Sequence, residues 1–505
     1  RDPRLHVAAV LLSVQVLGQV GLGFHVTVFQ ILAAILTCAV MEVAITYRHS
    51  GALVWPASAM LTGNGVALIL RAVGQPANDP WGTQFLALFA GVAAFGLATK
   101  YLIKVGGTHL FNPSNVALVV AFLLLGAEQV QPLDFWWGPL DGWLILAYAI
   151  ILVGGILITR RLRLLTMAVA FWVTLAAGLG ILAASGHCMT ADWAFGPVCG
   201  VDFWRVIVTS PEVLIFLFFM ITDPKTIPGG HVARILFAVG VGALASLLIA
   251  PQTNEWWTKV MLLSSLVLVC VARPLFDRLL PRPGTEEDQP VPFIVGTPAP
   301  GRSGPDLRRA GVSLGIAALL VASVGAGIVV AGAPARVEAP ATGILLDDAI
   351  EIDPDSIPAV TIDPEVTGWN VDRVRADAQG LAGTLARLLR VEDQALLAGD
   401  PSLLAAVDHG DRFDELAARL DEARATGRTT VVDYAPDTLF LTQKLLGRQS
   451  GMGMAFEATG TQTLSTYDAG GTLLDRQESP YGLTFVMRQV FGDDRWFIVG
   501  VLPNE

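Results

Sequence analysis

The chain of 505 residues is strongly apolar, since 53% of its side chains are hydrophobic, 15% are charged and its mean hydropathy is +0.57. This composition excludes an ordinary soluble enzyme and indicates a protein embedded in a membrane. The formal net charge is −11, and residues 334–505 alone carry 28 acidic and 14 basic side chains. Because phosphate binding needs basic surface, this acidic excess argues against a nucleic acid as a partner.

Apolar windows of about 20 residues, the length that crosses a bilayer as helix, predict ten spans before residue 280 and an eleventh at 311–332. The fifth span is short, so both a full crossing and a broken or re-entrant helix remain open for it. A Pro/Arg/Gly-rich stretch before the eleventh span is typical of a linker. The ten windows lie near 5–24, 25–47, 52–73, 82–103, 114–127, 142–159, 163–185, 204–221, 232–250 and 256–275.

The predicted fold is an all-α membrane domain of about ten transmembrane helices, followed by an anchor helix and an exported α+β domain. The domain boundaries that we predict are 1–278 for the membrane domain, 279–308 for a cytoplasmic linker, 309–333 for the anchor helix and 334–505 for the extracytoplasmic domain.

Lys and Arg cluster in alternate loops, including those at 47–50 and 160–163, whereas the opposite loops are nearly free of them before residue 204. The positive-inside rule therefore predicts a cytoplasmic N-terminus and an extracytoplasmic C-terminal domain. Cys188 and Cys199 share a predicted external loop, which favours a disulfide. A zinc or haem site that uses His187 is the alternative.

Two polar segments interrupt the apolar pattern at the same predicted face of the membrane. The first polar segment, GGTHLFNPSNVALV (106–119), places Asn112 and Ser114 on either side of Pro113 at a helix start. Such side chains cap helices, and the free amides of a helix N-terminus receive anionic or carbonyl groups. The second polar segment, FFMITDPKTIPGGH (218–231), ends an apolar helix in a polar turn. Each segment alone is explained by capping and turn chemistry, whereas the pair favours a binding site.

The two polar segments resemble a known membrane family. HLFNPSNVALV is similar to the HNPFNPAMVG-type motif, and FFMITDPKTIP to the FMATDPVTSP-type motif, of the RnfD/NqrB subunits of Rnf and Na⁺-pumping NADH:quinone oxidoreductase complexes. A third stretch, PASAMLTGNGVALILR (56–71), resembles that family's SAxVTGLLLAL helix. The resemblance covers residues 5 to about 275 and implies ten spans, a flavin and partner redox subunits in the membrane. The positions that it assigns to the flavin or ion pathway are Thr62, Asn112, Pro113, Asn115, Thr222, Asp223 and Thr226.

Members of that family attach FMN through a Thr in an S/T-G-A-T-like or related external motif, which residues 1–280 lack. The resemblance implies a flavin, FMN or riboflavin, and the missing attachment motif favours one that is held without a covalent bond. Such a ring needs an apolar slot with a few placed hydrogen-bonding groups.

Ionisable residues inside predicted spans are costly, so Glu42 and Glu212 are candidates for a proton or Na⁺ pathway. Glu212 follows Ser210 and Pro211, and the proline frees a carbonyl near the carboxylate. An interhelical hydrogen bond or salt bridge is the alternative for Glu212. Arg71, near the external end of its span, is predicted to snorkel towards the interface.

The exported domain begins with an acidic, Pro-punctuated segment at 344–367 that looks extended. Apolar spacing of three and four then predicts helices within 371–400 and 403–427, after which the period changes towards two over long paired strands. The stretches AGGT and GDD are predicted hairpin turns. Helices followed by a curved antiparallel sheet resemble the NTF2-like fold, which does not decide function because it hosts both enzymes and docking modules.

Two function classes remain open on the sequence. The first is a flavin-dependent electron-transfer subunit, an oxidoreductase component coupled to H⁺ or Na⁺ movement. The second is a redox-inactive transporter or assembly protein that retains the scaffold and serves a natural-product pathway, because some RnfD-like proteins of GC-rich bacteria are associated with such gene clusters. The strong preference for Arg over Lys in this chain fits that kind of bacterium.

Overall fold

Contacts within the chain divide it into two compact units. The first unit contains the apolar helices as far as Ala331, and the second contains the C-terminal sheet domain together with the Cys188–Cys199 stretch. The computed structural model describes the chain outside residues 1–2, 23, 76–78, 134–141, 192–193, 195–197, 297–306, 336–351, 354–355, 365, 367–376, 409–410, 446–451, 490–495 and 505.

The first unit is a bundle of apolar helices. Among the described residues, eight helical stretches are long and apolar enough to cross a membrane, and three further apolar helices are shorter. These lengths indicate a membrane protein. The helices are α1 Pro3–Val20, α2 Val28–Ser50, α3 Ala57–Ile69, α4 Leu86–Leu102, α5 Pro113–Leu125, α6 Gly142–Arg161, α7 Leu165–Ala184, α8 Gly200–Val208, α9 Pro211–Ile215, α10 His231–Ile249, α11 Glu255–Leu279, α12 Pro290–Val295 and α13 Leu307–Ala331.

Helices α3 and α5 are half-helices. Each has 13 residues, which corresponds to roughly 20 Å of helix and falls short of a hydrocarbon core of about 30 Å. The chain continues from α3 into β1 (Leu70–Ala72). A short hairpin of β2 (Lys104–Val105) and β3 (Thr108–His109) precedes α5. After α5 the chain continues into β4 (Val130–Pro132), which pairs antiparallel with β1. The window 52–73 is therefore not one continuous helix, because the strand pairing satisfies the backbone beyond α3. For the short fifth span, the structure favours the broken-helix alternative.

Arg71 lies in β1 and is buried, with 4% of its surface exposed, so the prediction that it snorkels is wrong. Its guanidinium donates to the carbonyl oxygens of Ala67 and Leu70 at 3.3 and 2.7 Å and lies over the Phe24 ring. A cation at this position satisfies carbonyls that the end of a half-helix leaves without partners.

The predicted eighth span is broken rather than continuous. Helix α8 ends before Ser210, whose hydroxyl accepts from the Val213 amide at 2.9 Å and caps α9. A π-helix, Phe216–Met220, follows α9 directly and leads into the second polar segment. A π-helix inserted in an apolar helix is frequent at functional sites.

A small hairpin in the second unit consists of β5 (Cys188–Met189) and β6 (Val198–Cys199). The two cysteines are register partners and form a disulfide. This pairing agrees with the preference drawn from their shared loop.

The C-terminal domain is a five-stranded sheet with helices packed against it. Its strands are β7 Val360–Ile362, β8 Arg428–Leu445, β9 Met452–Asp468, β10 Leu473–Gln489 and β11 Trp496–Pro503. They lie in the order β11-β10-β9-β8-β7, and all neighbouring pairs are antiparallel except β7 with β8. Its main core combines Leu381 and Leu385 of the first helix with Phe456 and Phe485 of the sheet. The helices of this domain are α14 Ala378–Ala398, α15 Pro401–Val407 and α16 Asp411–Thr426.

The order of helices and strands in this domain is the one predicted from the change of period. The AGGT stretch is a turn between β9 and β10, where Gly471 has a φ of +80° and donates its amide to the Asp468 carbonyl oxygen at 2.9 Å. The GDD turn and half of the predicted extended segment 344–367 lie outside the described residues.

A buried charged cluster joins the helices of this domain. Arg412 donates to both carboxylate oxygens of Glu392 at 3.0 and 2.5 Å. Asp408 is also buried, and its two carboxylate oxygens have no hydrogen-bond donor among the described residues. Burial and the neighbouring Glu392 carboxylate raise the pKa of Asp408 far above its ordinary value.

Candidate functional site

The candidate site begins at the first turn of α5. Asn112 is the N-cap residue, and its Oδ1 accepts from the Asn115 amide at 3.2 Å and from the Ser114 hydroxyl at 2.8 Å. Pro113 occupies the next position, where its missing amide costs no hydrogen bond. Gly96 of α4 allows this turn to lie close, because a Cβ there would be 2.7 Å from the Pro113 carbonyl oxygen.

The two polar segments and the start of α3 line one cavity of about 440 Å³. From α3 come Ser58 and Thr62, and from the second polar segment come Phe218, Thr222 and Asp223. The first polar segment contributes its helix start, and α1 and α6 complete the apolar wall. The three stretches that the family resemblance singled out therefore meet at a single place.

Direct contacts connect the two polar segments. The Asn112 side-chain amide donates to the Met220 carbonyl oxygen at 3.3 Å. His109 Nε2 lies 3.5 Å from Asp223 Oδ2. The segments are more than 100 residues apart in the chain, yet these contacts make them opposite sides of one site.

Arg273 of α11 connects both polar segments, and sequence reasoning missed it. Its guanidinium donates to the carbonyl oxygens of His109 and Lys225 at 3.3 and 3.0 Å and to the Thr108 hydroxyl at 3.0 Å. In the sequence, Arg273 is one of several basic residues near the end of an apolar helix, which the positive-inside rule already explains. Only its position directly before Pro274 distinguishes it.

Five of the seven residues assigned by the resemblance line the cavity, and two lie behind its wall. Asn115 donates to the Leu263 carbonyl oxygen at 3.0 Å and so ties α5 to α11. Thr226 donates to the Asp223 carbonyl oxygen at 3.2 Å within the turn of the second polar segment. The five lining residues are Thr62, Asn112, Pro113, Thr222 and Asp223.

The electrostatics of the cavity favour a ligand with polar or anionic groups. The N-termini of α3 and α5, where helix dipoles are positive, both contribute lining residues. Arg4 and Lys225 add two cationic side chains, and His109 and Asp223 form a pair at the rim. The remaining lining is mostly apolar, as in ordinary small-molecule pockets.

Glu42 forms a compact network near the start of α3. Its carboxylate is 3.0 Å from Lys100 Nζ and accepts from the Tyr101 hydroxyl at 2.5 Å. Lys100 also lies 3.4 Å from the hydroxyl of Ser58, which lines the cavity. Glu42 is therefore paired, and it is connected to the cavity through Lys100 and Ser58.

Glu212 lies elsewhere, beside a second and much smaller cavity of about 30 Å³, large enough for a water molecule. Lys259 Nζ is 3.4 Å from Glu212 and 2.6 Å from Glu255, so one cation serves two carboxylates. Ile69 and Ile215 line both cavities and separate them. Glu42 is thus connected to the large cavity, whereas Glu212 lines the small one.

Metal binding is not indicated at the cysteine pair. The sulfur atoms of Cys188 and Cys199 are bonded to each other and are not free thiolates. Within the described ranges, the structure contains no group of three or more His, Cys, Asp or Glu side chains arranged to hold a metal ion.

No protein-family model matches the chain, and no curated protein is significantly similar to it.

Proposed function

We propose that this chain is a membrane subunit that binds a flavin, FMN or riboflavin, non-covalently in the 440 Å³ cavity and takes part in electron transfer. The observation that carries the proposal is the convergence of three separate sequence stretches on that one cavity. These are the stretches whose motifs resemble the RnfD/NqrB family. We place the chain in a bacterial plasma membrane beside other redox subunits, with a cytoplasmic N-terminus and an extracytoplasmic C-terminal domain.

The size and lining of the cavity fit an isoalloxazine ring. Small-molecule pockets hold roughly 300–1,000 Å³ and combine apolar walls with a few placed polar groups. Here Phe218 and Phe219 supply aromatic wall, while Asn112, Thr62 and Ser114 supply hydrogen-bonding groups. A bound flavin supplies one- and two-electron chemistry.

The protein's own groups have defined tasks in this proposal. Asn112 holds the start of α5 against Met220 and keeps the two polar segments at a fixed separation. Arg4 and Lys225 attract the phosphate of FMN or an electron-rich pyrimidine edge. The apolar wall keeps water away from the ring and so influences its reduction potential.

A coupled ion pathway extends this proposal. Glu42 reaches the cavity through Lys100 and Ser58, and Glu212 with Lys259 lines the small cavity beyond Ile69. Half-buried carboxylates beside both cavities, Glu42 and Glu212, suit the movement of H⁺ or Na⁺.

A redox-inactive transporter is the second candidate, and one observation favours it. Two half-helices start at the large cavity, and their strands pair close to the small cavity, where Pro132 is a lining residue. Half-helices with N-termini at a central site are typical of secondary transporters. Purified protein that binds no flavin would decide for this candidate over electron transfer.

The test compares flavin content in two cap variants. Asn112→Ala and Asn254→Ala each remove an N-cap side chain, of α5 and of α11, and each costs the protein about 1 kcal/mol. Only Asn112 lines the cavity. We expect Asn112→Ala to lose flavin after purification in detergent, and Asn254→Ala to retain the wild-type content. Equal flavin content in both variants would reject this cavity as the site.

A further inference from the structure

A third cavity opens on the outside of the helix bundle, between α6, α7 and the stretch from Val208 to Phe218. It is a slot of about 370 Å³ whose lining is almost entirely apolar. The only two ring donors in that lining are already used, because Tyr148 donates to the Thr209 carbonyl oxygen and Trp172 to the Val208 carbonyl oxygen. The slot therefore presents hydrocarbon and aromatic surface to whatever enters it.

The slot deepens from the outside of the bundle towards its centre. At its mouth, Ile156 and Val169 are 39% and 52% exposed. At its inner end, Leu214 and Phe218 are buried. All three helical stretches that form it are long and apolar enough to cross a membrane, so its mouth faces the hydrocarbon region rather than water.

Phe218 is the wall between the slot and the large cavity, because its side chain lines both. The ring lies against Gly155 of α6, where an added Cβ would be 2.3 Å from the Phe218 Cγ. Phe218 also belongs to the π-helix, whose local widening is frequent at functional sites. A single aromatic side chain on an irregular helical turn thus separates the bilayer side from the polar site.

We propose that this slot binds the apolar tail of a lipid-soluble small molecule that reaches the protein sideways from the bilayer, with Phe218 between that tail and the cavity. The volume favours a small molecule over a partner helix, since about 370 Å³ is the size of a small-molecule pocket and a helix with side chains is about 10–12 Å across. The proposal does not depend on a flavin in the cavity, because it concerns only the slot and the apolar tail that binds there.

The test uses a diazirine-bearing palmitic acid as a photoactivatable probe, with the full chain in phosphatidylcholine nanodiscs and mass spectrometry to locate adducts. Leu36 of α2, which is 55% exposed on the outside of the bundle, reports ordinary lipid contact. We expect adducts on Leu214 and Leu217 at about tenfold the level on Leu36, which corresponds to roughly 1.4 kcal/mol of binding preference. Adducts spread evenly over the outside, or slot residues cross-linked to another polypeptide in native membranes, would overturn the proposal.

Two tryptophan variants on α7 provide a matched comparison. Val169 and Val173 are one turn apart and 52% and 53% exposed, but only Val169 lines the slot. Val169→Trp fills the mouth and is expected to reduce the adducts on Leu214 about tenfold, whereas Val173→Trp should leave them unchanged. Because both positions are on the outside of the bundle, neither variant overpacks the core. Equal adduct levels in the two variants would contradict a slot that binds the tail.

The role of Phe218 has its own test with the same probe. Phe218→Ala removes the wall, and adducts are then expected on Leu61, which lines the cavity but not the slot. Adducts that stay on slot residues alone in this variant would overturn the separation by Phe218.

Discussion

Replacing Arg273 by Met should weaken flavin binding although Arg273 does not line the cavity. The side chain keeps most of its apolar stem in this variant but loses three hydrogen bonds, to the His109 and Lys225 carbonyl oxygens and the Thr108 hydroxyl. These positions are partly exposed, so we take about 1 kcal/mol for each bond and roughly 3 kcal/mol in all. If the flavin binds only when both polar segments are held together, its Kd rises by up to about 100-fold.

The assay is quenching of flavin fluorescence on titration into the nanodisc-bound protein. Arg278→Met is the control, because Arg278 lies near the end of the same helix and is exposed. Arg273→Lys should fall between wild type and Arg273→Met, since an ammonium cannot reproduce the forked contacts of a guanidinium. If Arg273→Met and Arg278→Met bind flavin as the wild type does, then Arg273 does not hold the two segments in a binding geometry.

Two further predictions concern packing and pH. Gly96→Ala should lower the free energy of unfolding by about 1–3 kcal/mol, because the new Cβ meets the Pro113 carbonyl oxygen. Gly91 lies on the same helix with open space around it, so Gly91→Ala should be neutral or slightly stabilising. Equal melting temperatures of the two variants would contradict the close approach of α4 to Pro113. The raised pKa of Asp408 means that the folded domain keeps a proton on this side chain, whereas the unfolded chain releases it above the ordinary pKa of about 3.9. The bound proton therefore contributes fully to the free energy of unfolding at acid pH. Above the ordinary pKa, this contribution falls by about 1.4 kcal/mol per pH unit until the pH passes the raised pKa. Hydrogen exchange of the full chain, corrected for intrinsic rates, should show that decline in α14 and α16 for the wild type and a flatter profile for Asp408→Asn. Identical profiles would contradict a raised pKa of Asp408 in the folded domain.

Much of the architecture follows from local sequence signals. Apolar windows predict where the long helices lie, and the change of period near residue 428 predicts the change from helix to strand in the C-terminal domain. The Cys188–Cys199 disulfide is suggested by two cysteines in one predicted loop. Each of these signals acts over a short stretch of chain, so it is visible in a single sequence.

The half-helices were not predictable in the same way. The window 52–73 is mostly apolar on both sides of Ile69, and the feature that ends α3 there is the pairing of β1 with β4, about 60 residues further along the chain. Hydropathy carries no information about such a pairing. The prediction for Arg71 fails for the same reason, because the carbonyl oxygens to which it donates lack backbone donors only where that half-helix ends.

The candidate site was predictable in its parts but not in its connections. Asn112 and Asp223 are recognisable as helix-terminal residues, and the family resemblance suggests that they share a site. Their connection through Arg273 depends on a third helix, and the pairing of Glu42 with Lys100 joins residues 58 positions apart. Long-range contacts between side chains have no signature in one sequence, so these partners had to come from the structure.

The most direct measurement of the central claim is the visible absorption spectrum of the purified full-length protein, oxidised and then reduced with dithionite. A flavin should give bands near roughly 370 and 450 nm that bleach on reduction. After acid precipitation, the colour should stay in the supernatant, because the proposed flavin is not covalently bound. A protein that is colourless, and remains so after incubation with FMN and riboflavin, would contradict the flavin role and support the transporter.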